Sequence, residues 1–307
     1  MLDSLHQLPA VRDRKLSVAH SLGNVGKKTL ADIRYVLTSF HDHHDTGNDP
    51  MGIAEIPDEI LAQLGLDESL LREYLESERD KGIDPLSRSI LDKVPGGLLI
   101  NGQINRGLLN LNLNEGQEGV TPAIWTPEAF EVVNAPLREI HGEQLLAYRK
   151  IVAALGKIPI LHLHSMDISG PKKGLRPKLS RESLPEYVAA QGWGLDRRNP
   201  RQHDFITGKE NGVRLADMDL YTILGRLFDA NGMPWAFNDP YDTEHGYPDY
   251  RDMRGKPGRV IAPDFRKDSL CSAVGSTFDS RTAKVDPVRV EFMATLVARA
   301  VEEKLAA

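Results

Sequence analysis

The chain has 307 residues, 40% of them hydrophobic, and its 38 basic and 44 acidic side chains leave a net charge of −6. With no long basic block, that balance argues against nucleic acid or an anionic membrane as the main partner. A lone cysteine, Cys271, excludes an intrachain disulfide and a cysteine-rich metal site, so any metal must be held by histidines and carboxylates.

The first residues lack the basic-then-apolar signature of a secretory leader, and no apolar run approaches the roughly 18 residues of a membrane span. A soluble, cytoplasmic protein is expected. The length suits one large α/β domain over residues 1–307. Nothing in the sequence speaks to oligomeric state.

Leu16–Ala19 reads as a short strand amid irregular structure around Gly23, Gly26 and Lys27-Lys28. His20-Ser21 follows it, but two residues make too weak a motif to carry a role. Tyr35–Phe40 is a stronger strand, and it runs into His41-Asp-His-His-Asp45 and the turn-rich Thr46–Pro50. Three histidines and two aspartates in five residues are metal-ligand types in one place, with a solvated polar loop as the alternative. Pro57 opens a short helix carrying Ile60, Leu61 and Leu64 and closed by Gly65, and a second helix carries Leu70, Leu71, Tyr74 and Leu75.

Asp84-Pro85 has the form of an N-cap and first helical residue for a helix through Leu86, Ile90 and Val94. That reading leaves Asp80 without a structural duty and open to be a ligand. After Pro95-Gly-Gly97, the segments Leu98–Ile104 and Gly107–Leu113 alternate as strands do, with Arg106 between them. Thr126–Leu155 is helical in pattern and stops at Gly156.

The helix leads into Ile158–Leu163, whose branched apolar residues suit a buried strand and which ends abruptly at His164-Ser165-Met-Asp167. A helix followed by a buried strand is half of a βαβ unit, so a mostly parallel or mixed central sheet flanked by helices is expected. In such sheets ligands bind in the crevice outside the carboxyl ends of the strands, which gives His164 weight. A hydrogen-bonded histidine at a strand terminus is the plain alternative, and His162 reads as a supporting or core residue.

Residues 169–202 form a polar span rich in Gly, Pro and Arg, expected to be a long loop of the kind that serves as a lid or binding loop. Leu215 to Phe228 marks a helix closed by Asn231-Gly232. Pro234–Phe237 is a short strand entering Asn238-Asp-Pro-Tyr241, and Arg259–Ala262 another, ending at Pro263-Asp264-Phe-Arg-Lys-Asp268. The final helix starts at Asp286-Pro287 and presents Val290, Met293, Leu296, Val297, Ala300 and Val301 on one face.

Polar clusters thus follow three strands: His41–Asp45, His164–Asp167 and Asp264–Asp268. Two imidazoles, one carboxylate and a position left for water make a catalytic zinc sphere, because neutral nitrogen and carboxylate oxygen suit a borderline metal. Asp264 is a carboxylate placed to move a proton from that water to a leaving amine, and Arg106 one to pair with a substrate carboxylate.

At these residues the chain resembles the N-formylglutamate amidohydrolase family, whose members have a zinc-carboxypeptidase-like α/β fold. The resemblance rests on Asp42-His43, then Ile56-Pro57 and Leu64-Gly-Leu66, Asp80-Lys-Gly82, Asn105-Arg-Gly-Leu-Leu-Asn-Leu-Asn112, His164-Ser165, Asn238-Asp-Pro-Tyr241 and Asp264-Phe-Arg-Lys-Asp268, in that order. It implies His43, Asp80 and His164 as ligands of one divalent metal ion, zinc by preference, with His41 and His44 as substitutes for His43. It further implies Asp264 as general base, and Arg106, Asn112, Asn238, Tyr241 and Arg266 as groups that bind or position substrate.

The implied activity is metal-dependent hydrolysis of a small N-formyl or N-acyl amino-acid-like amide. A sugar-amide deacetylase and a catalytically degenerate small-molecule binding protein of the same fold are the alternatives. The chain departs from the family pattern at Leu113, where an arginine is expected, and at Asn110, where an aspartate is. Asp264 stands for a glutamate, and Asp242-Thr-Glu-His245 replaces the glycines expected after Tyr241.

Overall fold

The computed structural model describes residues 16–21, 29–40, 42, 68–102, 105–111, 127–168, 180–192, 201–210, 213–239, 259–276, 278, 279 and 281–307. The strands are β1 (Leu16–His20), β2 (Tyr35–Ser39), β3 (Gly97–Gly102), β4 (Ile160–His162), β5 (His164–Met166), β6 (His203–Ile206), β7 (Lys209–Glu210), β8 (Val213–Arg214), β9 (Trp235–Phe237), β10 (Val260–Arg266), β11 (Cys271–Ser272) and β12 (Lys284–Val285). The α-helices are α1 (Glu68–Glu78), α2 (Ile83–Lys93), α3 (Pro127–Ala154), α4 (Leu184–Gly192), α5 (Met218–Ala230) and α6 (Pro287–Ala306). None of the helices among the described residues is long and apolar enough to cross a membrane.

The central sheet has the order β1-β3-β2-β4-β10-β6-β9, with β5 alongside β10. Its middle, β3-β2-β4-β10, is parallel, β1 is an antiparallel edge, and β6 runs antiparallel to β10. This is the mixed, mostly parallel α/β sheet that the sequence predicts. All of Tyr35–Ser39 and Ile160–His162 is buried, which is why each opens on consecutive apolar residues, Tyr35–Leu37 and Ile160-Leu161, and does not alternate.

Helices cover both faces. Phe40 meets Tyr148 of α3 edge-on, with ring centroids 5.3 Å apart. On the other face Asn101 of β3 donates to Asp84 of α2, and α6 packs against both α2 and α5. Asp217 caps α5 by accepting from the Leu220 N–H at 3.1 Å, and Asp286 caps α6 with Pro287 in its first turn.

Several expectations are corrected. Helix α2 starts at Ile83 with Gly82 as N-cap in the left-handed region (φ 91°), so Asp84 is no cap. It lies inside the first turn, fully buried, accepting from Asn101 and from Arg88 Nε at 2.8 Å. Residues after Arg106 form no strand as far as Leu111: the Leu108 and Leu109 N–H groups turn back to the Asn105 carbonyl, and the Asn105 side chain donates to the Leu75 carbonyl at 3.1 Å. The polar span from 169 contains helix α4, and β6, unassigned from sequence, follows it.

Two strands also run further than expected. The pairing of β4 with β10 breaks at Leu163 and resumes in the same register as β5, with His164 opposite Asp264. The break coincides with Pro263, which has no N–H to donate to β4, while the Leu163 N–H continues the ladder on the other side by donating to the Thr38 carbonyl of β2 at 3.0 Å. His164 and Asp264 therefore sit within paired strands, not beyond their ends. The expected helix at residues 57–65 lies outside the described residues.

His203 shows what this core asks of a polar group. It is buried between Phe228 and Phe265, its Nδ1 accepts the Arg266 N–H at 3.2 Å, and burial pushes its pKa down to about 3. The unfolded chain takes up a proton below about pH 6.5 while the native one does not, so native stability falls as pH drops. Between about pH 6.5 and 5 the loss is expected to be about 2 kcal/mol. His203→Asn keeps the acceptor, and its urea midpoint should lie lower at neutral pH but change less over that interval.

Candidate active site

A polar row crosses the α3 face of the sheet. Register pairs put Thr38 beside His162, His164 beside Asp264, and Asp264 beside Asp204. Paired residues on adjacent strands share a face, so a one-residue alternation of these strands faces them all one way. Thr38 Oγ1 shares a hydrogen bond with His162 Nδ1, and the His162 ring lies edge-on to His164 with centroids 4.3 Å apart. His162 thus packs directly against His164.

Asp80 reaches this row from the α1–α2 turn, whose helix α2 covers the opposite face. Its Oδ2 lies 2.9 Å from His164 Nδ1, and both residues are 2% exposed. The turn is held where the two segments meet: Ser165 Oγ donates to the Lys81 carbonyl at 3.2 Å. Lys81 Nζ lies 2.9 Å from Glu76 and donates to the Arg281 carbonyl at 2.7 Å. At Gly82 a Cβ would come within 2.7 Å of Leu270, so this tight, left-handed corner needs glycine.

Arg106 lies on the Asn105 turn, with Nη1 3.5 Å from Asp80 Oδ1 and Nε 3.8 Å from Glu78. Its side chain is 32% exposed, against 3% for those of His164 and Asp80. Tyr74 Oη holds this turn by donating to the Gly107 carbonyl at 3.0 Å.

Asp264 is the electrostatic centre. Burial, first, and then the negative charges of Asp80 and Asp204 raise its pKa well above that of an ordinary aspartate, against the pull of Arg106 and Arg201. Its Oδ1 is buried and has no hydrogen-bond partner among the described residues. A buried carboxyl oxygen left in this state beside a histidine and a second carboxylate marks a place where an incoming polar group would be held.

Other expected site residues have different surroundings. The Asn238 carboxamide accepts the Thr207 N–H and donates to Thr207 Oγ1, both at 2.9 Å, which stabilises its left-handed backbone (φ 54°). Arg266 forks onto Asp268, with Nε to Oδ1 at 2.9 Å. His41, His43, His44, Asn112 and Tyr241 lie outside the described residues.

Three residues escaped sequence reading. Asp204 and Arg201 belong to β6 and its approach, where two polar residues in a four-residue strand hide its periodicity. Asp204 is fully buried and accepts the Asp239 N–H at 3.0 Å, tying β6 to the Asn238-Asp-Pro-Tyr segment. Asp42, seen only as the neighbour of His43, binds the Asp80 turn: Oδ1 lies 3.1 Å from Arg79 Nη2, and Oδ2 accepts the Asp84 N–H at 2.9 Å.

Among the described residues, no group of three or more His, Cys, Asp or Glu side chains is disposed to hold a metal ion. Asp80 and His164 supply two suitable donors at one spot, and the orphaned oxygen of Asp264 lies on the neighbouring strand. Imidazole nitrogen and carboxylate oxygen are donor types that fit a zinc-type ion.

No protein-family model matches the chain, and no curated protein matches it. Among solved structures it is similar to N-formylglutamate amidohydrolase from Ralstonia eutropha JMP134, at 16% identity and a TM-score of 0.53, over 94% of this chain and 97% of that one. It is also similar to the gene product Atu2144 from Agrobacterium tumefaciens, at 13% identity and a TM-score of 0.57, over 95% of each chain. At these identities the likeness shows a shared fold.

The raised pKa of Asp264 has a sign that stability can test. Its favourable contribution is complete below the unfolded value near 4 and is lost as pH rises through the higher folded value. Metal-free Asp264→Asn should therefore be more stable than the parent at pH about 8, with the gap narrowing toward pH about 4, as read from urea midpoints.

Proposed function

We propose that the protein is a metal-dependent amidohydrolase that cleaves a small N-formyl or N-acyl amino-acid-like amide. The observation that carries the reading is the meeting of Asp80, Arg106, His164 and Asp264, drawn from four separate segments, at one place on the sheet. Packing has no need to gather buried carboxylates beside a histidine, because each must be stripped of water. The fold shared with the Ralstonia amidohydrolase is consistent with the chemistry.

His164 and Asp80, with His43, are the residues that would hold the ion. When bound, a zinc-type ion supplies Lewis acidity toward the amide carbonyl and lowers the pKa of water. The rest falls to the chain. Asp264 has a raised proton affinity, the property wanted in a group that accepts a proton from attacking water and returns it to the departing amine. Arg106, the more exposed charge of the group, is suited to a substrate carboxylate, while its ion pairs with Asp80 and Glu78 keep its guanidinium at the site. Burial of His164, Asp80 and Asp264 keeps bulk water away from these charges and strengthens their mutual effects.

Purified protein is expected to contain a stoichiometric divalent metal by elemental analysis. Hydrolysis of a panel of N-formyl and N-acyl amino acids should stop on chelation and return with zinc. Full activity of metal-free protein would rule the mechanism out. His164→Ala and Asp80→Ala should each lose metal retention, and normal metal content in both would remove them as ligands.

A further inference from the structure

Asp80 is useful only if its carboxylate faces His164, yet it sits on a short turn between two helices with a glycine corner at Gly82. Something outside the turn must set its place. The carboxylate of Asp42, 1% exposed, spans it. Oδ1 lies 3.1 Å from Arg79 Nη2, on the residue just before Asp80, and Oδ2 accepts the N–H of Asp84 at 2.9 Å, in the first turn of α2. Arg79 is fixed in turn by Glu76, 3.0 Å from Nη1.

Helix α2 has no side-chain cap of its own, since its N-cap is Gly82. Asp42, three residues beyond the end of β2, therefore supplies the acceptor that a local Ser or Asp would normally provide. A carboxylate at a helix N-terminus is also favoured by the helix dipole, which adds to its hold on the turn. Asp42 thus grips both ends of the segment from Arg79 to Asp84, with Asp80 between them.

We propose that Asp42 is a positioning residue whose two-sided grip on the Arg79–Asp84 turn sets the Asp80 carboxylate against His164. Its consequence for metal affinity rests on the function proposed above. Its consequence for the Asp80–His164 contact does not. Orienting partners behind metal ligands commonly change affinity by about 10- to 100-fold when removed.

The test uses the full chain with Asp42→Ala, Asp42→Asn and Arg79→Met, each checked for native far-UV circular dichroism at room temperature. Two readouts are taken: the His164 imidazole nitrogen and carbon-bound proton resonances of metal-free protein, and the zinc dissociation constant by competition with a chromophoric chelator. In folded Asp42→Ala the His164 resonances should move and zinc should bind at least about tenfold more weakly. Asp42→Asn, which keeps an acceptor for the Asp84 N–H but loses its charge toward Arg79, should fall between it and the parent.

A merely structural role would lower the melting temperature and leave both readouts in place. Unchanged His164 resonances and unchanged zinc affinity in folded Asp42→Ala would therefore overturn the proposal. Should Asp42→Ala not fold, Arg79→Met decides by the same readouts, with a smaller change in the same direction expected and no change overturning it. A parent protein that binds no zinc would overturn the proposed function, and the His164 resonances would then decide the role of Asp42 alone.

Discussion

The arrangement depends on the cost of holding carboxylates away from water. Asp42, Asp80, Asp204 and Asp264 are each at most 5% exposed, and all stand at or beside the carboxyl-end region of the parallel strands. Their handling differs. Asp42 is paired with Arg79 and a helix N–H, Asp80 faces His164 and Arg106, and Asp204 accepts the Asp239 N–H. Asp264 is left with an oxygen unmatched among the described residues, and burial together with the charges of Asp80 and Asp204 makes it hold its proton more tightly. Breaking a buried pair commonly costs about 3–5 kcal/mol, so these partners constrain the structure as strongly as an apolar core does.

The sheet turns that constraint into a geometry. Because β2, β4, β5, β10 and β6 are paired in fixed register, Thr38, His162, His164, Asp264 and Asp204 occupy neighbouring positions on one face, and His203, Phe205 and Phe265 fall on the other. The same alternation makes the second face apolar enough to take α5, where Phe205 stacks on Tyr221 at 5.0 Å. Pro263 serves both: it interrupts the ladder beside Leu163 and lets the strand continue to Asp264. The α1–α2 turn then comes round from the far side, secured by Asp42, Ser165 and Lys81, to complete the site.

Apolar periodicity and cap residues made much of the scaffold legible. The buried strands at Tyr35 and Ile160, the long helix before the second of them and the final helix after Asp286-Pro287 all announce themselves by local pattern. Errors fell where a nonlocal partner outweighed local preference. Asp84-Pro85 has the form of a helix start, but Asn101 and Arg88 engage the Asp84 side chain and Gly82 makes the corner. Strand β6 went unassigned because its polar residues answer to neighbours on β10 and β9, which no local window contains.

Residue chemistry by itself marked His164, Asp80 and Asp264 as candidates: each is a ligand or proton-transfer type next to a strand or turn signal, and such signals depend only on near neighbours along the chain. Tertiary structure alone decided which of them meet, that Asp264 and His164 sit inside paired strands, and that Asp42 and Asp204 belong with them. The reason is physical. A carboxylate's proton affinity and its partners are set by burial and by charges a few ångströms away, and those neighbours lie on strands and turns far apart in sequence.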